Sequence, residues 1–264
     1  MANEKNTVIQ IDTAEILSPS SAPTQSANTL FRFFKKADYL FGTLEKSAMI
    51  PRYYVETIDY LNVQMKHVAY PMICFCDINL HKMSEHIGFY GAYGIAFSKE
   101  WGMNKGIQPI QYVNKNSPLC KDFAEAFDYA INSDSEDAAQ NFLLSQMYYF
   151  KPVYGTMQRD GEETSRIFTD ECEWRYIPDL SSLNLPQAVS EQDIQSITTL
   201  NKTLDLSNES WLKFNYDEIK YIIVENEDAF KRLCELLERK IEIPELKNRL
   251  ISRVIIWENE KEDF

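Results

Sequence analysis

The sequence predicts an α+β fold, a single domain built on a mixed central β-sheet with flanking helices. Three observations lead there. Strand-length apolar runs and helical repeats are interspersed without the strict alternation of a doubly wound sheet. From Leu30 onward no linker, internal repeat or low-complexity tract offers a domain boundary. The chain is also long enough, at 264 residues with 44% hydrophobic side chains, to bury one substantial core. Residues 30–264 are therefore expected to form one domain. Residues 1–29 read as a flexible arm: a short β-like piece, Val8–Ile11, precedes the polar Ser/Pro-rich stretch Ser18–Asn28.

The elements follow in order. Leu30–Phe34 reads as a strand, and Ala37–Ser47 as a short amphipathic helix with Leu40, Phe41 and Leu44 on one side. Tyr70–Cys76 is apolar enough for a buried strand. Leu80–Phe89 is expected to be helical and to end at the Gly88–Gly94 cluster, before strands at Gly94–Ser98 and Ile110–Val113. After Ser117-Pro118, Phe123, Ala126, Phe127, Ala130 and Ile131 recur at helical spacing, with proline at a tolerated N-terminal position. Ser133-Asp-Ser-Glu136 has a capping-box pattern and opens a second helix to about Tyr149. Residues 151–167 read as a loop. Strands at Cys172–Ile177 and Lys220–Val224, a helix at Glu227–Lys240 and a final strand at Val254–Trp257 complete the chain.

Composition argues against several functions. The formal charge is −13, which gives no broad positive field to attract nucleic acid or an anionic membrane. The acid is uneven: residues 30–115 hold 10 Lys and Arg against 7 Asp and Glu, whereas residues 116–264 hold 16 against 30. A phosphate-bearing ligand is thus expected in the first half. There are 8 glycines, well under the usual ~7% of residues, and neither G-x-G-x-x-G nor G-x-x-x-x-G-K-[ST] occurs. The pattern argues against a Rossmann domain and a P-loop NTPase on that ground. The odd count of 5 cysteines, without a C-x-x-C pair, suits reduced thiols better than a disulfide framework. No secretory h-region and no apolar run of ~18 residues occurs, so a soluble, cytoplasmic protein without membrane attachment is expected. His67, His81 and His86 lack metal-ligand spacing and are read as structural or surface residues, with no metal site.

Three segments carry candidate chemistry. In Asp170-Glu-Cys-Glu-Trp-Arg-Tyr-Ile-Pro178, period-two geometry puts Glu171, Glu173 and Arg175 on one strand face and Cys172, Trp174 and Tyr176 on the other. The charged face is either a solvated one with cross-strand ion pairs, or a cleft rim. At a rim, a carboxylate could bind a ribose hydroxyl and stabilise oxocarbenium-like charge. Arg32 stands alone among bulky apolar neighbours, either paired to a carboxylate on an edge strand or offered to a pyrophosphate. Between His86 and Ser98, glycines beside Tyr90 and Tyr93 permit either a packed turn or stacking on a flat ligand.

An ordered set of blocks then carries a resemblance. Leu30-Phe-Arg-Phe, Pro71-Met-Ile-Cys-Phe-Cys-Asp-Ile, His86-x3-Tyr90-Gly-x-Tyr93-Gly-Ile-x-Phe-Ser-Lys-Glu-Trp101, Lys151-Pro-x-Tyr-Gly155, Glu171-x-Glu-Trp-Arg-Tyr-Ile-Pro178 and Ile219-x-Tyr-Ile-Ile-Val224 together resemble the AbiGi-type abortive-infection proteins of bacteria, over roughly residues 30–225. That resemblance implies phage defence in a toxin–antitoxin arrangement, with a cognate toxin or antitoxin as partner. A looser similarity, to ADP-ribosyltransferases, rests on the order Arg32, the Tyr90–Ser98 segment and Glu171-x-Glu173. It implies an ADP-ribosyltransferase-like domain that cleaves NAD, its substrate, and passes ADP-ribose to RNA, DNA or protein. By that similarity Arg32 would contact the NAD pyrophosphate or ribose, Tyr90 or Tyr93 would stack on nicotinamide, and Ser98 would support the glutamate. Glu173 would be the catalytic carboxylate, and Glu171 would orient or deprotonate the acceptor. The Ser-Thr-Ser triplet of that family is absent, and Gly94-Ile-Ala-Phe-Ser98 stands partly in its place. The alternative is a non-catalytic antitoxin whose acidic second half engages a basic partner.

Overall fold

The computed structural model describes residues 27–133, 137–159 and 162–263. The expected Val8–Ile11 piece and most of the 1–29 arm lie outside these residues, as do Asp134, Ser135 and Glu136 of the proposed capping box.

A nine-stranded mixed sheet forms the centre. Its strands are β1 (Leu30–Phe34), β2 (Arg52–Thr57), β3 (His67–Cys76), β4 (Tyr93–Phe97), β5 (Gln108–Pro109), β6 (Glu173–Tyr176), β7 (Val189–Ser190), β8 (Ile219–Val224) and β9 (Val254–Ile256). They run in the order β9-β8-β4-β1-β3-β6-β5, with β2 and β7 also paired to β3. The β8–β9 pair is parallel and the others are antiparallel. This mixed arrangement with helices on both sides is the α+β architecture expected. The predicted strands over 30–34, 70–76, 94–98, 172–177, 220–224 and 254–257 all occur, within a few residues at their ends.

The long strand β3 makes the functional geometry. β1 meets it only at Phe31↔Cys76, whereas β2 pairs with its other half from Arg52↔Met72 to Thr57↔His67. Two strands thus share one edge of β3 and diverge, leaving a fork in the sheet.

Helices close both faces. α1 (Ala37–Lys46), α7 (Glu227–Lys240) and α8 (Pro244–Ile251) cover one face, with Leu40, Leu44, Leu233, Leu237 and Leu250 packed against Leu30, Ile73, Phe75 and Ile222. On the other face, α2 (Met83–Tyr90) seats Met83 and Ile87 against Phe31 and Ala96. There too α4 (Pro118–Asn132) and α5 (Ala138–Met147) pack Phe123, Phe127 and Met147 against Tyr70 and Met72. Alternate residues of β3 therefore feed separate cores, as strand geometry requires. α4 starts as its sequence dictates: the Ser117 hydroxyl accepts from the Cys120 N–H at 3.2 Å, and Pro118 occupies the first turn. α5 is capped by Asp137, whose carboxylate accepts from the Gln140 N–H at 2.8 Å. α2 ends at Gly91, φ 110°, where a Cβ would stand 2.4 Å from the Phe34 carbonyl oxygen. Only glycine allows that close return onto β1.

One expectation is corrected. Residues 151–167 are not a loop. Phe150–Pro152 pairs in parallel with Gln111–Val113, and Tyr154–Arg159 forms a hairpin with Glu162–Ile167, in register Tyr154↔Ile167. The hairpin pairs only with itself, so it needs no apolar face toward the central sheet and shows little of the alternation that marks a core strand.

Candidate functional site

Strand β6 begins one residue later than expected. Glu171 ends the short turn Phe168–Glu171, and Cys172 takes a left-handed conformation, φ 43°. Glu173 and Arg175 then share the β6 face lying over Cys76 and Cys74, their register partners on β3. That face is not solvated. Arg175 is 0% exposed, Glu171 5% and Glu173 7%. Trp174 and Tyr176, on the other face, pack half-buried against the main core, whereas Cys172, grouped with them by the sequence, precedes the strand and is exposed.

Burying three charges side by side requires that each be matched. Arg175 donates from Nε to Glu173 Oε1 at 2.6 Å and from Nη2 to Glu173 Oε2 at 3.3 Å. Nη2 also meets Glu56 Oε1 of β2 at 3.3 Å. Nη1 donates to the Tyr70 hydroxyl at 2.5 Å and to the Tyr148 carbonyl at 2.8 Å. These contacts use the full donor set of a guanidinium. Lys151, 6% exposed on the Phe150–Pro152 strand, donates to Glu173 Oε2 at 2.9 Å and to Glu171 Oε2 at 3.2 Å. Tyr90 of α2 donates its hydroxyl to Glu171 Oε1 at 2.7 Å.

The electrostatics follow. Burial pushes the Glu173 carboxyl up, but Arg175 and Lys151 overcome it and hold the group far below the usual carboxylate range. Burial pushes Lys151 down, yet Glu173, Glu56 and Glu171 together keep it well above the ordinary lysine value. Burial likewise drives the Tyr90 hydroxyl up, reinforced by Glu171, so it stays a donor.

The fork opens into a cavity of about 2070 Å³ against this cluster. Glu173, Lys151, Tyr90 and Arg32 all line it. Arg32 and Glu173 thus share a crevice, but their strand registers put them on opposite faces of the sheet. Arg32 is half-buried, donates to the Cys74 carbonyl at 3.3 Å and lies over the Phe34 ring at 5.3 Å. Two other candidate residues lie elsewhere. The Tyr93 hydroxyl donates to Glu225 at 2.8 Å, and burial raises its pKa to about 12. The Ser98 hydroxyl caps helix α3 (Lys99–Asn104) by accepting from the Trp101 N–H. The structure therefore joins Tyr90, Glu171 and Glu173 through Lys151, brings Arg32 only to the wall of the same cavity, and leaves Tyr93 and Ser98 apart.

Lys151 is the central residue that sequence reasoning passed over, although it opens the Lys151-Pro-x-Tyr-Gly155 block. Of the histidines, His86 is buried in α2 with its pKa lowered by desolvation, His81 is exposed, and His67 meets Glu191 at 3.1 Å. Among the described residues no group of three or more His, Cys, Asp or Glu is placed to hold a metal ion, and no helix is long and apolar enough to cross a membrane.

Comparison with known proteins agrees with the block pattern. A family model described as "Putative abortive phage resistance protein AbiGi, antitoxin" matches residues 47–225. The chain is also 35% identical, over 248 residues, to the abortive phage resistance protein AbiGi of Lactococcus lactis subsp. cremoris, covering 82% of this chain and 100% of that relative. No solved structure matches.

Proposed function

Because the chain belongs to the AbiGi family of abortive phage resistance proteins, we propose that it serves phage defence as a non-catalytic antitoxin. In this reading, the acidic surface of residues 116–264 engages a basic cognate toxin. One observation carries it beyond the family description: the Glu173 carboxylate is already engaged by two buried cations. Both oxygens accept from Arg175, and Oε2 accepts from Lys151 as well. A carboxylate so enclosed, with three of its roughly four acceptor sites taken by buried cations, is poorly placed to take a ribose hydroxyl, so the network acts as a rigid strut between β6, β3 and the Phe150–Pro152 strand. Expression of the chain alone, and with a toxin encoded beside it, tests this. The expected result is normal growth alone and restored growth with the toxin; arrest by the chain alone overturns it.

A second reading, an ADP-ribosyltransferase-like toxin acting on NAD, draws support from Arg32, Tyr90 and Glu173 lining one cavity, with Glu171 hydrogen-bonded to Tyr90 behind it. It requires Glu173 to exchange Arg175 or Lys151 for a sugar hydroxyl. Incubation of the purified chain with labelled NAD and lysate decides it. Label passing to protein or nucleic acid, and lost in Glu173→Gln, supports this reading; no transfer by the native chain removes it.

A further inference from the structure

The fork cavity holds more than the buried cluster. Its lining includes cations from four separate elements: Arg32 of β1, Lys46 of α1, Lys115 before α4 and Arg166 of the hairpin. Among the described residues none of these four has a carboxylate partner. The acids of the same wall are mostly spent: Glu173 and Glu56 on Arg175, Asp205 on Arg52 and Asp38 on Arg232. In a chain of charge −13, uncompensated cations collected in one concavity form a local anion-binding field. Arg32 sharpens the point, because its buried Nε has no hydrogen-bond partner at all.

These cations also sit on aromatic rings. Arg32 lies 5.3 Å from the Phe34 centroid, Lys115 4.5 Å from Tyr154 and Arg166 4.0 Å from Phe89. Three tyrosines of the lining are unusually open: Tyr39 is 57% exposed, Tyr54 45% and Tyr154 48%. Interleaved cations and open rings match a chain of alternating phosphates and flat bases. The cavity, at about 2070 Å³, is also larger than the ~300–1,000 Å³ typical of a small-molecule pocket. That favours an extended ligand over a mononucleotide. Rings can stack only on bases that are themselves unstacked, which excludes a duplex. An acidic peptide would answer the charges and leave the rings without flat partners.

We infer that the fork cavity is a groove for a single-stranded polynucleotide, with Arg32, Lys115 and Arg166 on its phosphates and Tyr54 and Tyr154 against its bases. The groove differs in charge from the acidic surface offered to the toxin, although Tyr154 and Arg166 fall within the same residues 116–264, and the acidic exterior confines the strand to it.

Fluorescence anisotropy with the full chain tests the groove, using labelled oligo-uridine and oligo-thymidine of about a dozen nucleotides across a salt series. Binding of either or both is expected, the two arms separating RNA from DNA. The slope of log affinity against log salt should be roughly −2, as about three phosphate contacts on a single strand give. Lys115→Glu, an exposed position, should weaken binding about tenfold and flatten that slope. Tyr54→Ala, also exposed, should weaken it severalfold with the slope unchanged. Failure to bind either oligonucleotide overturns the inference, as does wild-type affinity in both folded variants. Displacement of the strand by oligo-glutamate at equal charge concentration also overturns it, in favour of an acidic peptide.

Discussion

Lys151 is one ammonium shared by two buried carboxylates, and that sharing sets what its removal does. Without it, Glu171 and Glu173 face each other with Arg175 as the remaining cation in contact with Glu173. Breaking a buried ion pair from one side costs about 3–5 kcal/mol, because the abandoned charge stays desolvated. Lys151→Met is expected to lose stability in that range by urea unfolding. Lys151→Met with Glu171→Gln should lose less than the two single changes combined. The same cluster sets an acid response. Glu173 has a folded pKa far below its unfolded one, near ~4.3. The unfolded chain therefore binds more protons as pH falls beneath ~4.3, and the stability Glu173 contributes above that pH is lost progressively below it. Urea midpoints measured from pH 7 to pH 3 should fall steeply under pH ~4.3 in the native chain and less steeply in Glu173→Gln; equal slopes would mean the carboxylate is not held ionised. At this scale the sequence revealed the Glu171-x-Glu173-x-Arg175 face but not its direction. A strand reading cannot tell which face a neighbouring helix or lysine will cover, and a lone lysine on a three-residue strand has no spacing to betray it.

Elements were legible wherever one face meets a core. β1, β3, β4 and β8 are apolar because helices cover both sheet faces, and α4 and α7 repeat at helical spacing because one stripe of each is buried. What escaped detection lies at the margin. β2, Arg-Tyr-Tyr-Val-Glu-Thr, has Tyr54 and Val55 each 45% exposed, since one of its edges faces the fork rather than another strand. Helix α6 (Ile197–Leu206) buries Leu204 and little else. Where local chemistry decides an element, it can be tested locally. Ser117 satisfies the Cys120 N–H at the start of α4, so Ser117→Ala should lower stability by ~1 kcal/mol, whereas Ser117→Asp should retain most of it. Thermal unfolding monitored by circular dichroism reads both, and equal losses would show that the cap contributes nothing.

Across the whole molecule, charge acts with opposite signs in two places. Residues 116–264 carry 30 acids against 16 bases, and like charges on that surface repel most when few ions screen them. The native chain should therefore melt at a higher temperature as sodium chloride rises from about 50 to 300 mM, a span over which the Debye length shrinks from ~14 to ~6 Å. The fork cavity works the other way: its uncompensated cations hold an anionic strand, and the same salt that firms the fold should release the ligand. A differential scanning measurement with and without oligo-uridine separates the two effects. The free protein should gain stability with salt while the increment added by the oligonucleotide shrinks toward zero. Free-protein melting that falls with salt would mean the acidic surface is already neutralised by internal ion pairs, leaving no field for a basic toxin to meet.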